Sequence, residues 1–404
     1  MGDLIRRYWV PACLSEELPA PDCDPVRVRL LGEDLVAFRD SSGRVGLVEE
    51  NCPHRGASLF FGRNEDGGLR CLYHGWKLDV AGRVLDTPCE PIGSTFKDRL
   101  RAVAYPVREQ GDVVWTYMGP PALEPSFPSF EWTTLPSQNR SLAKVHLACN
   151  HLQGIEGVVD SSHVDLLHSG RAVMLGLPYA PPTYEVEDTP FGFRYAAIRT
   201  APFQVVGMNL RIEDPILKYV RTSNFVMPFY TLVPPSTHAH MQIFVPMDDS
   251  QSWCYSVYFS TEEALDHEGL RLRRNSAVGP DLFADYTKKR TLQNSYWQDR
   301  AAMREKRSWS GIDANPNQDA AMQESMGAVY NRSREHLGYS DAAVIRLRER
   351  LLQAVRAFQA GQFPLGLDAP IPYESIRSQA KVVPIDIPWQ QVSHHPGAPL
   401  PTPT

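Results

Sequence analysis

Two short cysteine and histidine pairs, Cys52-Pro53-His54 and Cys71-Leu72-Tyr73-His74, are separated by 16 residues and constrain this chain more than any other feature. Each pair offers one thiolate and one imidazole from a single loop. A [2Fe-2S] cluster with two Cys on one iron and two His on the other needs that supply, and its neutral imidazoles raise the potential above that of an all-thiolate cluster. A structural zinc with Cys2His2 ligands draws on the same inventory and is the rival reading. The flanks, Arg55-Gly56-Ala57 and Gly75-Trp76, favour the cluster, because glycine lets two loops approach closely around it.

The remaining composition agrees with an enzyme of ordinary size. At 404 residues with 43% apolar side chains, the chain can build two domain cores. A formal charge of -6, with acidic and basic residues interspersed, leaves no footprint for nucleic acid or an anionic membrane. Seven cysteines (Cys13, Cys23, Cys52, Cys71, Cys89, Cys149 and Cys254) are odd in number and too sparse for a disulfide scaffold. Met1 to Arg7 leads into Tyr8-Trp9-Val10 without an apolar leader, and no apolar run approaches the ~18 residues that span a bilayer. A soluble, cytoplasmic protein is expected.

From Val26 to Met118 the pattern predicts short strands at 26–29, 34–39, 45–49, 75–79 and 113–117, divided by Gly, Asp, Asn and Ser turns. This is a small all-β domain. Prolines between 120 and 136 mark a connector, so the boundary is placed near residue 138, with domains 1–138 and 139–404. The second region mixes strands at 193–199, 217–230 and 255–260 with helices at 150–167, 320–337 and 341–360. The last helix carries Val344, Leu347, Leu351, Val355 and Phe358 at helical spacing, with Ser340 to cap it and Gly361 to end it. The fold class is α+β.

The two loops resemble the Rieske family, whose oxygenase branch reads C-x-H-R-G and C-x-x-H-G-W. Respiratory Rieske subunits add two bridging cysteines where this chain has Ala57 and Tyr73. The resemblance therefore implies a Rieske oxygenase, with Cys52, His54, Cys71 and His74 as cluster ligands. It also implies an N-terminal all-β Rieske domain followed by a helix-grip, START-like catalytic domain with an antiparallel sheet.

A second constellation lies between Asn150 and His168, where Asp160 precedes His163 by three positions and His168 by eight. Non-heme Fe(II) oxygenases hold their iron with two His and one carboxylate, leaving positions open. His163 and His168 are the expected imidazoles. Five residues of regular α-helix place them about 140° apart, so a widened or unwound turn is predicted near Val164 to Leu167. The family takes its third ligand from the C-terminal half, just before a helix; Asp319 fits that place, with Asp313, Asp299 and Glu324 as alternatives. Asp160 is one helical turn from His163 and can accept its free N–H. In the family the matching aspartate also bridges to a cluster histidine of a neighbouring subunit, here His74, which implies a homotrimer or a dimer of trimers. Asn150, Gln153 and Glu156 are further candidates to line the iron pocket.

The resemblance extends to 2–9, 93–97, 156–163, 227–230 and 317–327, which look like phthalate-dioxygenase-type oxygenases. That group implies O2-dependent hydroxylation of aromatic acids, by cis-dihydroxylation or monohydroxylation, or aryl O-demethylation. It also implies a flavin and ferredoxin-type reductase fed by NAD(P)H. An electron carrier or small-molecule-binding protein with a vestigial iron site is the reading from another class. A carboxylated ring calls for a guanidinium in the pocket. Arg194 and Arg221 are the favoured candidates, with Ser161 as a hydroxyl donor. Arg194 and Arg199 are five positions apart, so strand alternation sends them to opposite faces.

Overall fold

The computed structural model describes residues 2–174, 181–200, 203–205, 210–234, 238–367 and 369–394. The chain divides into two compact units, Met1–Ser129 with Val245–Asp248, and Phe130–Phe244 with Asp249–Thr404. The division falls before residue 138 because Phe130 and Trp132 are buried in the second unit, where Phe130 packs on Tyr230 and the Trp132 indole donates to the Met241 sulfur.

The first unit opens with a short helix α1 (Gly2–Ile5) and is otherwise built of short antiparallel strands. β1 (Trp9–Leu14) belongs to one sheet, and β2 (Val26–Leu30), β3 (Glu33–Arg39) and β4 (Val45–Glu49) form another. A four-stranded ribbon follows, of β5 (Arg63–Glu65), β6 (Gly68–Arg70), β7 (Lys77–Leu78) and β8 (Val84–Asp86). β9 (Val107–Gln110) and β10 (Val113–Tyr117) complete the sheet of β1 in the order β1-β10-β9. The strand expected at 75–79 shrinks to β7, because Gly75, at φ +74°, belongs to the preceding turn. Val36, Phe38, Val48, Leu59, Leu69 and Leu78 form a core that also encloses Cys52, Cys71 and Trp76.

In the second unit α2 (Glu131–Thr134) leads to β11 (Arg140–Leu147), then α3 (His151–Val159), α4 (Ser162–Leu167) and α5 (Arg171–Met174). β12 (Thr183–Thr189) and β13 (Gly192–Thr200) are followed by a small hairpin, β14 (Phe203–Val205) with β15 (Leu210–Ile212). β16 (Leu217–Val226), β17 (Tyr230–Val233), β18 (Ala239–Pro246) and β19 (Ser252–Phe259) come next. The single strand expected over 217–230 is thus two, because Pro228 has no amide to give a ladder. α6 (His267–Arg273), α7 (Arg300–Arg304), α8 (Asn315–Ser325), α9 (Ala342–Gln359) and β20 (Gln379–Pro384) close the chain. The sheet is antiparallel, in the order β11-β19-β18-β17-β16-β13-β12 with β20 paired to β16.

α3 fits tightly beside the sheet and α8 because of two glycines. A Cβ on Gly154 would lie 2.3 Å from the Phe244 ring, and one on Gly157 2.5 Å from the Gln323 amide. The helix expected over 320–337 instead starts at Asn315 and ends at Ser325, where Gly327 turns the chain at φ +91°. α9 buries Val344, Leu347 and Leu351 as its spacing predicts, and Gly361 ends it at φ +78°. Asp341, rather than Ser340, stands at its N-cap. Among the described residues no helix is long and apolar enough to cross a membrane.

Candidate functional site

The two cysteine and histidine loops share one backbone frame. Cys52 donates its amide to the Ala57 carbonyl at 2.9 Å and accepts from the Gly56 amide at 2.8 Å. Cys71 donates to Trp76 at 2.8 Å and accepts from Gly75 at 3.0 Å, so both loops close over the same span. Gly56 and Gly75 each lie at φ +74°, a conformation that a side chain strains. At Gly75 a Cβ would also meet Pro88 at 2.6 Å.

This frame buries both thiols and gathers both rings. The His54 and His74 centroids are 4.4 Å apart at 75°, and His54 stacks on the Trp76 indole at 4.6 Å. Burial pushes the Cys52 thiol up to about 11, with the nearby Cys71 adding to the effect. His74 is held below its ordinary pKa by desolvation and then by the charges of His54 and Arg55. Nδ1 of His54 is buried without a hydrogen-bond partner. An orphaned nitrogen beside two paired thiols has the chemistry of a ligand set, and the four residues fit a [2Fe-2S] cluster of two Cys and two His.

In the second unit the helix expected over 150–167 is interrupted at Asp160 and Ser161, between α3 and α4. The predicted break at 164–167 is not there: that stretch is helical. The Gly170 amide closes the end of α4 on the Asp165 carbonyl at 3.1 Å, beyond both histidines. His163 lies in the first turn of α4 and His168 at its C-cap, and their rings meet at 5.0 Å.

Asp319 comes from the second turn of α8, inside the helix rather than before it. Its Oδ1 is 3.5 Å from His163 Nε2 and 3.3 Å from His168 Nε2, and one ligand atom from each residue lies within 4.8 Å of the others. The other nitrogens are engaged from behind. Asp160 Oδ2 lies 3.4 Å from His163 Nδ1, and Gln318 Oε1 lies 2.8 Å from His168 Nδ1. Gln318 donates its Nε2 to the Ile312 carbonyl at 2.8 Å, which fixes its oxygen toward His168. Burial works against charge on His163, yet the carboxylates of Asp160 and Asp319 raise its pKa. Burial raises that of Asp319 and lowers that of His168. Two imidazoles and one half-buried carboxylate with both rear nitrogens held are the donor set of a facial iron site.

The alternatives to Asp319 are engaged elsewhere. Asp299 caps α7 through the Ala302 amide, Asp313 accepts from Asn275, and Glu324 pairs with Lys288 at 2.6 Å. A cavity of about 450 Å³ opens onto His163, His168 and Asp319. Arg221 lines it, and its Nε is buried without a hydrogen-bond partner.

Five expected site residues, Arg194, Ser161, Asn150, Gln153 and Glu156, lie outside this lining. Arg194 sits on the opposite face of β13, paired with Glu187 at 2.9 Å and stacked over Trp389. Ser161 bonds the Tyr195 hydroxyl at 3.2 Å within the protein. Asn150 caps α3 by accepting from the Leu152 amide and donates to the Asp249 carbonyl. Gln153 and Glu156 are structural: Gln153 staples α3 to the Gln323 and Gly327 carbonyls, and Glu156 holds Arg332 and Arg348. Sequence reasoning misses Gln318 and Arg274, the latter lining the cavity 5.1 Å from the Tyr258 ring centroid.

Residues 8–97 match the Rieske [2Fe-2S] domain family, which sets the zinc reading aside, and residues 116–176 and 178–397 match the LigXa C-terminal domain like family. The chain is 40% identical to the phthalate 4,5-dioxygenase oxygenase subunit of Pseudomonas putida, covering 96% of this chain and 90% of that one. It belongs to the phthalate-dioxygenase-like Rieske oxygenases. As a member it is an oxidoreductase, the oxygenase component of a Rieske non-heme iron system. The 3-chlorobenzoate-3,4-dioxygenase oxygenase subunit of Comamonas testosteroni is 36% identical, over 96% of this chain and 93% of its own. A third relative in this Rieske oxygenase group, the 5,5'-dehydrodivanillate O-demethylase oxygenase subunit of a Sphingobium species, is 30% identical, over 90% and 78%. The solved structure of dicamba monooxygenase bound to dicamba shares the fold, with a TM-score of 0.59 at 17% identity over 89% of this chain and 99% of that one.

Proposed function

We propose that this oxygenase component uses O2 to hydroxylate an aromatic carboxylate, such as a phthalate or a substituted benzoate, by cis-dihydroxylation. The observation that carries this reading is Arg221, a buried guanidinium lining the cavity of His163, His168 and Asp319 with an unpartnered Nε. A buried guanidinium N–H without an acceptor is costly, and a substrate carboxylate at the cavity would give this side chain one. The phthalate and chlorobenzoate relatives support the same class.

Cys52, His54, Cys71 and His74 would hold the [2Fe-2S] cluster, and His163, His168 and Asp319 a mononuclear Fe(II); together these groups supply single electrons and O2 activation. The protein's own work is orientation. Gln318 keeps the proton of His168 on Nδ1, and Asp160 does the same for His163, so each Nε2 faces the cavity as a lone pair. Apolar Leu142, Val145 and Phe244 exclude water around the ring, while Arg221 anchors its acid group.

Asp160 is read as the link by which an electron reaches this site from the partner subunit's His74, in a homotrimer or a dimer of trimers. The electrons come from an NAD(P)H-dependent flavin and ferredoxin-type reductase, and the setting is the cytoplasm. Aryl O-demethylation is the second reading, favoured by the dehydrodivanillate relative. Chemically reduced protein exposed to O2 with phthalates, benzoates and methoxybenzoates decides between them. A product heavier by two hydroxyl groups supports the first, and formaldehyde the second. Turnover confined to neutral aromatics would reject the carboxylate anchor.

A further inference from the structure

The interruption that places Asp160 is itself held, from one side, by the β12 and β13 pair. Asp160 ends α3 with an extended backbone (φ -84°, ψ 106°), and Ser161 then turns the chain into α4. The Asp160 amide still closes α3 on the Glu156 carbonyl at 3.2 Å, but the extended backbone that follows breaks the helix there, and a carboxylate at such a break has no direction fixed by a helix. Here each serine that follows is tied to a tyrosine. Ser161 Oγ shares a hydrogen bond with Tyr195 of β13 at 3.2 Å, and Ser162 Oγ one with Tyr184 of β12 at 2.5 Å.

A third tie comes from the same strand, where Arg199 pairs with Asp165 of α4 and both side chains are buried. Tyr195 and Arg199 are four positions apart on β13 and share a face. Tyr184 shares it too, since Tyr184 lies opposite Ala197 in the β12 and β13 register. Three side chains from one sheet face therefore grip residues 161, 162 and 165, on either side of His163. The Ser162 amide completes the arrangement by donating to Asp160 Oδ1 at 2.7 Å. Tyr195 is fully enclosed and Tyr184 nearly so, and burial raises the pKa of both, so the phenols stay protonated and bonded.

We propose that Tyr184, Tyr195 and Arg199 form a clamp that aims the Asp160 carboxylate, making them positioning residues for electron transfer rather than for substrate. The clamp rests on reading Asp160 as the link between the two metal centres. Either phenol can lose its hydroxyl with little change of shape, so the test uses Tyr184→Phe, Tyr195→Phe and the double variant, with Asp160→Asn as reference. Ser162→Ala opens the Tyr184 arm alone should a phenylalanine variant fold poorly.

Cluster reoxidation is followed by stopped flow when the fully reduced, substrate-loaded oxygenase meets O2, alongside iron content, cluster midpoint potential and substrate KM. The double variant is expected to keep its iron, its potential and its KM while reoxidation slows about ten-fold. A wild-type rate in the double variant beside a slow Asp160→Asn overturns the clamp and leaves the role of Asp160 standing. Loss of iron in the tyrosine variants also overturns it, since the hydroxyls would then be supporting His163 as a ligand. A wild-type rate in Asp160→Asn removes the reading of Asp160 and the clamp with it.

Discussion

Gln318 and His168 are joined by a 2.8 Å hydrogen bond whose polarity is set from behind, because the Gln318 amide nitrogen is committed to the Ile312 carbonyl. The oxygen therefore faces His168, and the imidazole proton sits on Nδ1. Gln318→Leu keeps the volume and removes the acceptor. Iron affinity is expected to fall about 10- to 100-fold in a chelator competition, with the cluster's visible spectrum unchanged. Unaltered affinity would show that His168 is oriented by packing alone.

Asp319 is the only carboxylate that meets both imidazoles among the described residues. Asp319→Ala should take the iron content from about three per chain to about two and leave the cluster bands intact. Full retention of iron would send the search for the third ligand back to Asp313 or Glu324.

Arg221 and Arg194 make a matched pair of tests on opposite faces of the sheet. Arg221→Leu should raise KM for an aromatic carboxylate about 10- to 100-fold, the range of a lost charged hydrogen bond. Arg194→Leu should leave KM unchanged, since Arg194 pairs with Glu187 away from the cavity. Equal effects of the two would mean that neither touches substrate.

His151 is buried at the start of α3, and desolvation depresses its pKa to about 4, against an ordinary value near ~6.5. Between those values the unfolded chain binds a proton that the folded chain refuses, so stability falls as pH drops. The expected slope is up to ~1.4 kcal/mol per pH unit from this group. His240, depressed to about 3 by burial and Arg274, acts in the same direction. Thermal midpoints from pH 7 to 5 should fall less steeply in His151→Gln than in the parent. Parallel lines for the two proteins would assign the acid sensitivity elsewhere.

The cluster loops are legible in the sequence because the four residues proposed as ligands lie within two short local patterns, and local spacing survives folding. His163, His168 and Asp319 are legible only jointly, through the family resemblance. Helical arithmetic alone puts the histidines on different sides and the break in the wrong place. The structure solves the same problem by putting His168 at the helix end and the interruption before His163. Asn150 shows the opposite error. An asparagine just before a helix is most simply a cap, and that is its place. Arg194 and Arg221 both read as strand residues, and only the three-dimensional position of the helices decides which face becomes a pocket. Gln318 and Arg274 carry no local signal at all, because each acts through a neighbour remote in sequence or on another element.

The matching closures of the Cys52 and Cys71 loops separate backbone support from ligand identity. Glycine stands at the same offset in both, while the histidine stands at +2 in one and +3 in the other. The backbone closure therefore does not depend on where in the loop the histidine is mounted, much as one socket accepts different fittings. Replacing His54 and His74 by cysteine would rewrite the site toward a four-thiolate ferredoxin type on an unchanged frame, with a reduction potential lower by a few hundred millivolts.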